Sequence, residues 1–181
     1  MASKENTRIH PETVRMAEYI RAITAAGSVH AVGIEFISPI QCMKRHNSRR
    51  CKGKMRITPR ADVIEYCCTD CETCGIIANW RGSEWNLSEF ASGLTAPGLL
   101  TVSVSEDEYK ALRKVLLLSP KEEAIIAGAV WTDSHVVITG TEDVFDELAG
   151  NVAFEANHSP GTKKQAALDS VCEKIEKVLE T

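Results

Sequence analysis

The 181-residue chain lacks any long apolar run. Its longest uncharged apolar stretch, Ala124 to Trp131, has eight residues, whereas a membrane-spanning helix needs about 20. No span is expected. The first ten residues, MASKENTRIH, contain no apolar h-region, so no signal peptide is expected and the protein reads as cytoplasmic. Aromatics are scarce, at 6 %. There is no glycine-rich phosphate loop, no G-x-S-x-G elbow and no H-E-x-x-H helix, which removes the commonest nucleotide-binding, serine-hydrolase and metalloprotease signatures. What is present is ordinary for a folded chain: 44 % apolar and 25 % charged residues, too apolar for disorder and too polar for a membrane protein.

One stretch also lacks acid. Residues 36–61 carry eight basic side chains and no carboxylate: Lys44, Arg45, Arg49, Arg50, Lys52, Lys54, Arg56 and Arg60. The whole chain is nevertheless at −4, so the rest is acidic. A block of this density is a possible contact for nucleic acid or another polyanion. The bland alternative is a solvated loop neutralised by the acids that follow at once, Asp62, Glu65, Asp70 and Glu72.

Residues 40–75 are also poor in large apolar side chains and rich in Cys, Arg and Lys. Such a stretch cannot bury a core of its own, so something else must hold it. Six of the seven cysteines lie there, between Cys42 and Cys74. In a reducing compartment such a cluster reads as a metal site before it reads as disulfides. Structural zinc takes four Cys/His ligands, usually as two close pairs. Cys42-x8-Cys51 supplies one loose pair. The second is either Cys68/Cys71 or Cys71/Cys74, both with the C-x2-C spacing that lets two thiolates reach one centre from a tight turn. His46 could substitute for a cysteine. No general base stands near the cluster, so the site is expected to be structural, with one Zn2+. A thioredoxin-type redox pair and an iron–sulfur cluster are the alternatives. The seventh, Cys172, falls on an apolar helical stripe and reads as a small core residue.

Periodicity divides the chain. Pro11 opens a helix with a Val14, Met16, Ile20, Ile23 stripe that ends at Ala25-Ala26-Gly27. Val32–Ile37 reads as a strand stopped by Ser38-Pro39, and Ile76–Trp80 as another. Asn86–Gly98 is linker-like. Beyond it come a strand over Leu99–Val104 and a capping box at Ser105/Glu108, whose helix runs to about Leu118 with Val115 and Leu116 on its buried face. A second box follows at Ser119/Glu122. A hairpin of Ala129–Thr132 and His135–Thr139 turns at Asp133-Ser134. A helix capped by Thr141 follows, and a last helix starting at Ser159-Pro160 carries Leu168, Val171, Cys172, Ile175 and Leu179. The expected architecture is α+β: an N-terminal helix and strand over 1–38, a zinc-ribbon-like module over 39–85, a linker over 86–98 and a C-terminal α/β unit over 99–181.

The spacing Cys42-x8-Cys51-x-Gly53, Cys68-x2-Cys71-x3-Gly75, Trp80-x-Gly82 resembles a group of uncharacterised prokaryotic proteins. In that group a four-cysteine, zinc-ribbon-like module precedes a helical part. Gly140-Thr141-Glu142-Asp143, Leu148-x-Gly150 and Val152-Ala153-x-Glu155-Ala156-Asn157-His158 extend the likeness over roughly residues 35–180. The resemblance implies Cys42, Cys51, Cys68 and Cys71 as the ligands, with Cys67 and Cys74 as extras. It implies no activity.

The expected function is a non-catalytic zinc-binding adaptor or regulatory protein that contacts nucleic acid or a protein through its basic ribbon. Trp80 and Trp85 read as core or lid aromatics, or as stacking platforms beside that ribbon. One rival is an enzyme with a polar pocket at Glu155, Asn157 and His158. Glu-x2-His is a di-iron motif only when doubled, and here it is single, so a helix end is the plainer reading. Another rival is a thiol redox sensor using Cys67, Cys68, Cys71 and Cys74. Asp133-Ser134-His135 reads as a turn, because adjacent residues diverge too far for a catalytic relay.

Overall fold

The computed structural model describes residues 10–94 and 97–180. Pro11 begins helix α1 (Pro11–Ser28), and the His10 ring caps it by accepting from the Glu12 amide. There follow β1 (Phe36–Gln41), β2 (Arg45–His46), β3 (Arg49–Arg50), β4 (Lys54–Pro59), β5 (Val63–Cys68) and β6 (Cys74–Ala78). Four of these make an antiparallel sheet in the order β1-β4-β5-β6, while β2 and β3 pair with each other as a separate ribbon. Ile23 and Ala26 of α1 bury against Phe36, Met55, Ile57 and Ile64 of the sheet, and Cys42, Cys51 and Cys68 complete this core.

The second half contains β7 (Leu100–Val104), α2 (Glu106–Leu112), α3 (Pro120–Ala127), β8 (Val130–Thr132), β9 (His135–Gly140), α4 (Glu142–Asn157) and α5 (Lys163–Leu179). Its strands are antiparallel in the order β7-β9-β8. Val102, Leu112, Ile125, Ile138, Phe145, Leu148, Leu168, Val171 and Ile175 form one core between this sheet and the helices. Both expected capping boxes are formed, Ser105 with Glu108 and Ser119 with Glu122. The α+β class is as the sequence implies.

The two cores meet through specific contacts. Lys54 Nζ lies 2.9 Å from Glu106 Oε1 of α2 and 4.2 Å from the centre of the Trp131 ring on β8. Val130 packs against the first core. His30 stacks on Phe36 and donates to the Gly128 carbonyl at 3.0 Å; burial lowers its pKa.

Several boundaries differ from expectation. The first strand runs through Ser38-Pro39 to Gln41, because β1 is an edge strand and Pro39 sits where the register breaks between Ser38 and Gln41. The helix after Ser105 stops at Leu112, not near Leu118. Val115 is buried as expected, but Leu116 is 84 % exposed. The last helix begins after Thr162, whose hydroxyl accepts from the Gln165 amide, rather than at Ser159-Pro160. Within the linker-like stretch, Ser88–Leu94 forms a 3-10 turn; Thr95 and Ala96 lie outside the described residues.

Candidate metal centre

Cys42, Cys51, Cys68 and Cys71 come together, with all four Sγ atoms within 4.8 Å of one another. Cys42 and Cys71 are 3.7 Å apart, as are Cys51 and Cys68. A regular tetrahedron with metal–sulfur bonds of about 2.3 Å has edges of about 3.8 Å. The thiols are therefore spaced for a shared ion, and too far apart for a bond to each other. The set could hold a metal.

Local folding explains how 30 residues of sequence converge. Cys42 and Cys51 stand at the two feet of the β2–β3 hairpin, where the Cys42 amide donates to the Gly53 carbonyl and the Cys51 amide to Lys44. The loose x8 spacing is that hairpin. Asn47 and Ser48 at its tip have φ of 47° and 66°, the left-handed pair that a two-residue turn between twisted strands requires. Cys68 ends β5, and Cys71 lies in the turn before β6. Three sulfurs each receive an amide from two residues ahead, Lys44 onto Cys42, Gly53 onto Cys51 and Asp70 onto Cys68, all at 3.4 Å. Cys71 meets the Thr73 hydroxyl at 3.2 Å.

Gly53 is required by close approach: a Cβ there would lie 2.5 Å from Cys68 Sγ. Gly75 serves a different neighbour. A Cβ there would run into the Tyr66 ring, which stands edge-on to Tyr19. Gly75 thus packs against Tyr66, and Cys74 does not belong to the four-thiol group.

The electrostatics fit a cation. Burial pushes the Cys42 thiol up to about 12, against the Lys44 amide that lowers it. Cys71 moves the other way, to about 5, chiefly through a hydrogen bond with His46 and then through Thr73. Four thiols this close cannot all ionise unaided, and a bound dication reverses that penalty. His46 touches the cluster through Cys71 and is not one of the four.

Cys67 and Cys74 are not spare free thiols. They face each other across β5 and β6 and are joined as a disulfide. Cys172 is half-buried against the C-terminal core, as expected.

The basic block divides in two. Lys54 pairs with Glu106, Arg56 with Glu35 and Arg60 with Glu65. Lys44, Arg45, Arg49, Arg50 and Lys52 are exposed, and among the described residues none has an acidic partner. Of the acids expected to neutralise the block, only Glu65 pairs with it. Trp80 is buried beneath Arg81, so it offers no stacking face, and Trp85 is half-buried against α1.

The other sequence candidates fall into structural roles. Glu155 is ion-paired with Lys164 of α5. His158 is the C-cap of α4, with Nδ1 donating to the Phe154 carbonyl at 2.8 Å and its ring against Phe154. Asn157 is exposed on the last turn of the same helix. Asp133 and Ser134 form the turn between β8 and β9, and His135 begins β9 opposite Thr132. No helix is long and apolar enough to cross a membrane among the described residues. No family model, curated protein or solved structure matches the chain.

Proposed function

We propose that the chain is a non-catalytic zinc-binding adaptor that presents a basic hairpin to nucleic acid. Cys42, Cys51, Cys68 and Cys71 would hold one structural Zn2+. Four sulfurs fill its tetrahedral coordination and leave no open position for substrate or water, which argues for structure over catalysis. The metal would supply folding energy to residues 40–82, of which 40–75 carry few large apolar side chains.

The observation that carries the partner is the hairpin itself. Arg45 stands directly opposite Arg50, and His46 opposite Arg49. Like charges directly opposed across strands destabilise a ribbon. The metal pins the feet of this one, and a polyanion would neutralise its tip. Burial of Trp80 removes one stacking platform and favours contact with phosphates over base stacking. The remainder of the chain is acidic and would be repelled, which orients the hairpin toward the duplex.

The test is fluorescence anisotropy with a labelled 20-base-pair duplex over a salt series. Five phosphate contacts give a slope of about −4 to −5 in log K against log salt. Arg45→Glu with Arg50→Glu should weaken binding by tenfold or more and flatten the slope by about 2. Binding that ignores salt, or no binding with the metal in place, would assign the hairpin to a protein partner.

A further inference from the structure

The metal reading leaves two cysteines without a role. β5 alternates its side chains, so Ile64 and Cys68 point into the core while Glu65 and Cys67 point outward. Cys67 and Cys74 therefore lie on the face of the sheet opposite the four-thiol cluster. They are directly opposed in the register, with Cα atoms 4.1 Å apart. The neighbouring pair carries the hydrogen bond, Cys68 amide to Thr73 carbonyl, so Cys67 and Cys74 are a non-hydrogen-bonded pair, whose side chains stand closest. Two thiols placed there can bond without moving either strand.

The pair is also reachable. Cys74 is exposed and Cys67 half-buried, and both line an open cleft of about 510 Å³, within the size range of small-molecule sites. Arg56 stands opposite Cys67 on β4. With Arg60, Glu35, Glu65 and Glu72 it gives the cleft both signs of charge.

We propose that Cys67 and Cys74 are a reversible dithiol–disulfide couple that exchanges with a zwitterionic, peptide-type low-molecular-weight thiol in this cleft. Exposure fixes the order of events. The Cys74 thiol gives its proton to solvent, and its sulfur attacks one sulfur of the small disulfide. The S–S bond of the small molecule breaks, one small thiol leaves and takes up a proton, and Cys74 carries a mixed disulfide. Cys67 then attacks Cys74 Sγ, loses its proton, and releases the second small thiol. Two protein thiols are oxidised and one small disulfide is reduced to two thiols. The bond closes the turn that carries Cys68 and Cys71, so its state bears on the clamp around the metal without consuming a metal-facing sulfur.

The full chain, as purified under reductant, is equilibrated in glutathione and glutathione disulfide at graded ratios. Free thiols are then alkylated and the peptides weighed, with metal content measured in parallel. Cys67 and Cys74 should pass together from two alkylated thiols to one disulfide as the share of glutathione disulfide rises, with metal content unchanged. In Cys67→Ser, glutathione should remain on Cys74; in Cys74→Ser, Cys67 should carry at least tenfold less. Three results would overturn the proposal: labelling of the wild-type pair that does not follow the ratio, oxidation that instead joins Cys42, Cys51, Cys68 or Cys71 and expels metal, or glutathione trapped on Cys67 in preference to Cys74. The pair's labelling is read whether or not the chain carries zinc, so failure here is separable from failure of the zinc reading.

Discussion

At the scale of single residues, chemistry in this chain is decided by which face a side chain takes. Cys67 and Cys68 are neighbours in sequence, yet one enters a cross-strand bond and the other the four-thiol cluster. The choice between Cys68/Cys71 and Cys71/Cys74 was open in the spacing, because C-x2-C fits both. Strand pairing resolves which thiols meet, since a one-residue step along β5 reverses the face. Gly53 packs directly on the cluster, where a Cβ would lie 2.5 Å from Cys68 Sγ. Gly53→Ala pushes a methyl toward Cys68 Sγ and Asp70, an overpacking that costs about 1–3 kcal/mol. Metal affinity, read by competition with a chromogenic chelator, should fall by about tenfold or more, while Gly82→Ala, which meets open space, should leave it unchanged. Equal affinities in the two variants would refute this account of the glycine.

At the scale of elements, the regular half of the chain was legible and the irregular half was not. Ser105/Glu108 and Ser119/Glu122 are local signals, complete within four residues, and both helices start where those signals stand. The 3.6-residue stripe of α5 likewise puts Leu168, Val171 and Ile175 inside. The β2–β3 hairpin was invisible to periodicity because it has two residues per strand and no buried face; only the spacing of its flanking cysteines hinted at an excursion. The end of α2 at Leu112 also escapes the sequence, because no Gly or Pro follows until Pro120. Glu108 shows how a capping residue becomes a tie between elements: it accepts from Ser105 and Ser170 and pairs with Lys174 of α5 at 2.6 Å. Burial alone would raise its pKa, but Lys174, Ser170 and Ser105 outweigh that and bring it down to about 2 from an ordinary 4.5. The stabilisation is complete above pH 4.5 and is lost as pH falls from there toward 2. It amounts to on the order of 2 kcal/mol. Chemical denaturation at pH 7 and pH 3 should show Glu108→Gln destabilised at pH 7, with the gap to wild type reduced by roughly half at pH 3. An unchanged gap between the two proteins at both values would contradict the assignment.

At the scale of the whole molecule, charge and core are divided along the same line. An acidic helical body carries a sheet whose basic hairpin has no acidic partner among the described residues, and Lys54 joins the two by reaching Glu106 and Trp131. The segregation of charge could be read from the sequence. Which cations are neutralised could not, because Lys54 finds its acid 52 positions away. The central claim is that a metal held by Cys42, Cys51, Cys68 and Cys71 fixes the hairpin. The most direct measurement is the metal content of purified chain beside its Cys68→Ala and Cys74→Ala variants. The account predicts about one zinc per chain in wild type and Cys74→Ala, and loss of metal in Cys68→Ala. A folded, metal-free wild type, or zinc lost from Cys74→Ala and kept in Cys68→Ala, would contradict it.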